Sequence, residues 1–96
     1  MNFLFLQTYV WVAKMRNFTH AAEQLGISQQ CASARVAALE KELGVRLIRH
    51  ELRAFELTPE GVAALEQAEM IVGQVAEFKA RLGLPSSYGM NVETAS

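Results

Sequence analysis

Gln29, Gln30, Ser33 and Ala34 form a small cluster with a definite chemistry. A glutamine amide can bond an adenine edge, a serine hydroxyl can bond either type of base, and an alanine methyl can touch the methyl of thymine. Side chains one, four and five residues apart share a surface only if the segment is a helix. Cations and neutral donors stand around the cluster: Arg35, Arg49, His50 and Arg53, with Thr19 and Ser28. Such groups can bond phosphate oxygens and fix a register without reading bases. The bland alternative is a solvated helix face of slim residues, with arginines that are merely exposed; Lys14, Arg16 and Lys41 read that way. The elements that carry the cluster must decide between the two.

Other chemistries fit less well. No nucleophile stands beside a base, no carboxylates pair across a plausible cleft, and no phosphate-binding loop is present. Glu40 and Glu42 fall on different helix faces. Cys31 is the single cysteine, so no internal disulfide can form; it suits a reducing compartment and reads as a small packing residue. His20 and His50 show no metal-ligand spacing. The chain is therefore expected to be no enzyme and to need no cofactor or metal.

The 96 residues fit one domain with a modest core, and the 51% hydrophobic content is enough to fold it. Net charge is −1, but it is unevenly distributed. Residues 1–58 hold seven Lys/Arg against five Asp/Glu, and residues 59–96 hold two against five. A basic head on an acidic remainder is the asymmetry expected if only the head meets phosphate. The apolar start, MNFLFLQTYVWVAKM, is interrupted by Gln7, Thr8 and Lys14 and has no basic leader, so it reads as a helix rather than a signal. No run is long enough to span a bilayer. No membrane contact is expected, and a cytoplasmic location is.

The positioning elements follow from caps and periods. Asn2 can cap a helix over about 3–15, with Phe3, Leu6, Val10 and Ala13 inward and Tyr9 and Trp11 flanking. Arg16-Asn17 breaks it. Thr19 is the expected cap of a short helix over about 20–25, whose Ala21, Ala22 and Leu25 face inward. Gly26 suits a left-handed helix end, and Ser28 caps a third helix over about 29–43, closed by Gly44. Its core stripe is Ala32, Val36, Leu39 and Leu43, which turns Gln30, Ser33 and Ala34 outward; Arg35 lies at the flank of the core face. Val45 and Leu47, then Phe55 and Leu57, alternate as two short strands of a hairpin. Thr58-Pro59-Glu60 starts a long helix that runs to about Leu82, stopped by Gly83 and Pro85. Residues 83–96 have no period and are expected to be a flexible tail. The domains are then a head at 1–58, a linker helix at 59–82 and that tail.

Two helices around a glycine-containing turn, the second with a slim polar face, make a helix-turn-helix. The stretch FTHAAEQLGISQQCASARVAALEKELGVRLIRHELRAFELTPEG resembles the N-terminal DNA-binding domain of LysR-type transcriptional regulators. The matching positions are Phe18-Thr19, Ala21-Ala22, Leu25, Ser28-Gln29, Ser33, Leu39-Glu40, Leu43-Gly44, Leu47, Leu57-Thr58 and Gly61. The resemblance covers roughly residues 3–82 without gaps. It implies a mainly α fold: a winged helix-turn-helix with a two-stranded wing and a long C-terminal dimerisation helix. It also implies double-stranded DNA with a near-palindromic site as partner, and Arg53 as the wing arginine that enters the minor groove. The chain departs from the family at Gln30, usually Pro, at Ala34, often Arg, at Ile48, usually Phe, and at His50, usually Arg. These changes bear on which DNA sequence is read.

Ala64, Ala68, Ile71, Val75, Phe78 and Leu82 are spaced 4, 3, 4, 3 and 4, a coiled-coil seam widened by Leu65 and Val72. Small residues lie at one end and large ones at the other. An antiparallel pair sets Ala64 near Leu82 and Ala68 near Phe78, so a homodimer through antiparallel long helices is expected. Such a helix is roughly 36 Å long, about one turn of DNA. In LysR-type regulators an effector-binding domain follows the linker helix; GLPSSYGMNVETAS does not resemble its first strand, which tilts the expectation toward a naturally short chain. The alternative function is a short interaction protein that pairs through its long helix with a full-length regulator and modulates it. A truncated molybdate-responsive regulator, which shares this head, ranks lower because no oxyanion-binding residues are apparent.

Overall fold

The computed structural model describes residues 1–49 and 54–84. Four helices occupy most of them: α1 (Phe3–Met15), α2 (Phe18–Leu25), α3 (Gln29–Leu43) and α4 (Pro59–Arg81). His50, Arg53 and residues 85–96, including most of the expected tail, lie outside the described residues.

Each helix starts where a side chain can take an orphan N–H. Asn2 accepts from the Leu4 amide, Ser28 from Cys31 and Thr58 from Gly61. α2 corrects one expectation. Its cap is Asn17, which accepts from the His20 amide, so the helix begins at Phe18 rather than after Thr19. Gly26, Gly44 and Gly83 all take positive φ just past their helices, and the Leu84 amide reaches back to the Lys79 carbonyl at 2.8 Å.

α1 is the hub and touches the other three helices. It buries Leu6, Gln7, Thr8, Tyr9, Val10, Val12 and Ala13, nearly its whole circumference. The single inward stripe expected from its sequence is thus too narrow: Tyr9, expected at the flank, is fully buried, and Phe3 is only half-buried. A helix enclosed on several sides need not be amphipathic. Ala21 and Ala22 bring α2 close, and α3 contributes Ala32, Val36 and Leu39. Leu43, assigned to the same stripe, stands 39% exposed at the end of α3, past the core.

The hairpin expectation also needs correction. Among the described residues there are no strands, only one antiparallel bridge between Ile48 and Leu57. It is flanked by Arg49 N–H to Glu56 O at 2.8 Å and Thr58 N–H to Leu47 O at 3.0 Å. Val45 is exposed, whereas the consecutive Leu47 and Ile48 are both buried. Alternation fails because this segment is held from both sides. The Glu40 carboxylate accepts the Leu47 and Ile48 amides at 2.8 and 3.2 Å. From the cap of α4, the Thr58 hydroxyl donates to the Arg46 carbonyl at 2.6 Å.

α4 is fixed to the head by its first half. The Tyr9 hydroxyl donates to the Gly61 carbonyl at 2.7 Å inside the core, and Lys14 pairs with Glu69 at 2.6 Å. Ala68 and Val72 join the core cluster. No helix among the described residues is long and apolar enough to cross a membrane.

Candidate nucleic-acid interface

α3 owes its outward face to the way α1 and α2 hold its inner one. With Ala32, Val36 and Leu39 taken up by the core, Gln29, Gln30, Ser33 and Ala34 are all exposed on one surface. Ser28 takes the Cys31 amide, which leaves the first amides of α3 directed outward at the positive end of the helix. Thr19, on the first turn of α2, donates its hydroxyl to the Gln29 side-chain oxygen at 3.3 Å. Thr19, Ser28 and Gln29 therefore meet where the two helices approach, as a helix-turn-helix requires.

Arg35 does not share that surface. It is half-buried, and its guanidinium donates to the Thr8 hydroxyl at 3.2 Å, bracing α3 against α1. The same hydroxyl donates to the Leu4 carbonyl at 2.7 Å. Arg49 is half-buried beside the Ile48–Leu57 bridge, where it lines a polar hollow with Arg46, Ile48, Thr58, Pro59 and Glu60. His50 and Arg53, the other two expected cations of the wing, lie outside the described residues.

Three supports of this surface leave little or no trace in the sequence. Arg16 is more than the plain surface residue expected: it ends α1 with φ 55°, donates to the Phe55 carbonyl at 2.9 Å and lies 5.6 Å over the Phe55 ring. Phe18 meets that ring from α2 at 6.2 Å. Glu40 holds the Leu47 and Ile48 amides on its carboxylate. Tyr9 is the third: burial, with the Glu40 charge adding to it, pushes its phenol from 10.0 up to about 12, which keeps it a hydrogen-bond donor. A non-glycine residue breaking a helix at Arg16 was the one available signal; tertiary partners of Tyr9 and Glu40 leave no local trace.

On α4 the expected seam divides. Ala68 is 1% exposed and is occupied by the head of its own chain. Ala64 and Val75 are half-buried, while Ile71, Phe78 and Leu82 are exposed. Gln67, Met70, Ile71, Gln74, Val75 and Phe78 line an open groove along the free side.

Two helices joined by a glycine turn, braced from behind by α1 and followed by a projecting α4, define the class: a helix-turn-helix protein. Residues 4–62 match the family described as "Bacterial regulatory helix-turn-helix protein, lysR family", and the chain belongs to it. An HTH-type transcriptional repressor of Pseudomonas aeruginosa is 39% identical over 77 residues, covering 80% of this chain and 24% of the relative. The "Probable cat1 operon transcriptional activator" of Acinetobacter lwoffii is 42% identical over 79 residues, covering 79% of this chain and 26% of the relative. The chain thus spans about a quarter of the length of these two relatives. Among solved structures, the BenM DNA-binding domain in complex with catB site 1 DNA superposes with a TM-score of 0.81 at 30% identity, covering 86% of this chain and 93% of that one. The family is one of transcriptional regulators, and this chain has its DNA-binding domain.

Proposed function

We propose that this chain regulates transcription by docking α3 in the major groove of a near-palindromic DNA site as a dimer. The observation that carries the reading is the exposed Gln29-Gln30-Ser33-Ala34 surface, held outward by a helix pair braced from behind. Gln29, Gln30, Ser33 and Ala34 meet base edges; Thr19, Ser28 and Arg49 meet phosphate. His50 and Arg53 contact the phosphate backbone and the minor groove, as the resemblance to the family implies. Arg35 acts chiefly as a strut and reaches phosphate only if its bond to Thr8 is released. The solved BenM complex with DNA supports the assignment by its likeness in fold and sequence. Antiparallel pairing of α4 supplies the second reader. The 23 residues of α4 extend about 34 Å, close to one turn of duplex.

Gel shifts at increasing salt test this. Each phosphate neutralised by a cation steepens the log–log dependence of affinity by about −0.9, so binding should fall steeply. A flat response would remove the phosphate contacts from the account.

The apolar groove on α4 also favours a second reading, pairing with a full-length regulator of the same family to modulate it. A gel shift by this chain alone, set against one with such a partner added, separates the two: retarded DNA without a partner supports the first reading.

A further inference from the structure

The head decides which face of α4 is free. Gly61, Ala68 and Val72 are buried against it, and the groove residues lie roughly a third of a turn away around the helix. The layer that would pair Ala68 with Phe78 of a second copy is therefore unavailable. A different heptad runs beside the head contact: Ala64, half-buried at the edge of the core cluster, then Gln67, Ile71, Gln74, Phe78 and Arg81 along the free side, at spacings of 3, 4, 3, 4 and 3.

This heptad is complementary to itself when reversed. With Ile71 on the two-fold axis, each Gln67 stands opposite the Gln74 of the other copy. Each Ala64 receives the other copy's Phe78, which is 64% exposed in the single chain and needs a small residue facing it. The outermost layer sets Glu60 against Arg81, opposite charges at the two ends of the helix.

We infer that Gln67 and Gln74 select a second copy of this chain as the partner of α4, by bonding to each other across the antiparallel pair. The inference rests on the proposed pairing of α4 and adds its register and its selectivity. A glutamine side chain carries both donor and acceptor, so two facing amides satisfy one another. A partner with apolar residues at these positions leaves each amide buried without a bond, which disfavours the mixed pair. A polar residue at a core position of a coiled coil fixes register in this way at some cost in stability.

The test mixes equal amounts of the full chain and its Gln67→Leu/Gln74→Leu variant, one of them 15N-labelled, and counts dimers by native mass spectrometry after exchange. Both glutamines are exposed on the single chain, so the variant retains its head. Leucine facing leucine pairs well, and amide facing amide pairs well; only the mixed dimer strands an amide in two layers. The mixed dimer should fall about tenfold below the statistical half. A mixed dimer at half the total would overturn the selectivity while leaving pairing intact. Monomers of the unmodified chain would overturn the pairing itself. In a Cys31→Ser background, Ile71→Cys should form a disulfide-linked dimer on mild oxidation, and failure to cross-link would remove Ile71 from the axis.

Discussion

Gly61 lies where α4 enters the head, and a side chain there has no room. A β-carbon at this position would overlap the Leu47 carbonyl and stand 3.0 Å from the Tyr9 hydroxyl oxygen. The obstacle is backbone pinned by Glu40 and Thr58, so it cannot swing aside. Gly61→Ala should cost about 1–3 kcal/mol, read as a lower urea midpoint with an unchanged slope. Tyr9, on the other side of the same contact, makes a pH prediction. Its phenol ionises near 10 in an unfolded chain and near 12 in the fold. The folded state therefore holds its proton where the unfolded state has lost it. The stability this contributes is fully present below about pH 10 and is lost as pH rises to about 12. Tyr9→Phe should remove this alkaline loss from the dependence of unfolding free energy on pH, at a cost near 1 kcal/mol at neutral pH for the missing bond. An unchanged alkaline profile would place the titration elsewhere.

The helices are where the sequence was most readable, because their ends are local. Asn2, Ser28 and Thr58 cap them, Gly26 and Gly44 close them, and α1 and α3 occupy the expected 3–15 and 29–43. Thr19 misled because Asn17 is an equally good cap two residues earlier, and only packing chooses between them. Residues 45–48 do not alternate because Leu47 and Ile48 are buried together between the Glu40 carboxylate and the start of α4, contacts made outside the segment itself. On the site, the outward face of α3 followed from its period, whereas the inward turn of Arg35 depends on Thr8 across the core. For α4 the period showed a long apolar stripe but could not divide it between the head and a partner. That division makes its own prediction. Phe78 lies past the contact with the head and is 64% exposed, so Phe78→Glu should leave the head folded and give monomers in sedimentation. A dimer of unchanged strength would move the partner to another surface.

At the scale of the whole molecule, charge and shape are arranged in the same direction. The cations concentrate in residues 1–58, which include the helix-turn-helix, and the acidic excess falls on residues 59–96. Long-range attraction to a duplex therefore orients the head toward it. Two such heads, joined by reversed helices, would address two half-sites on one face of DNA. Selection of bound sequences from a random duplex pool, using the full chain, tests this most directly. Enrichment of a two-fold site with half-sites about one helical turn apart is expected, with a changed preference when Gln29→Ala replaces the unmodified chain. A pool that stays random at low salt, or that enriches single half-sites alone, would contradict it.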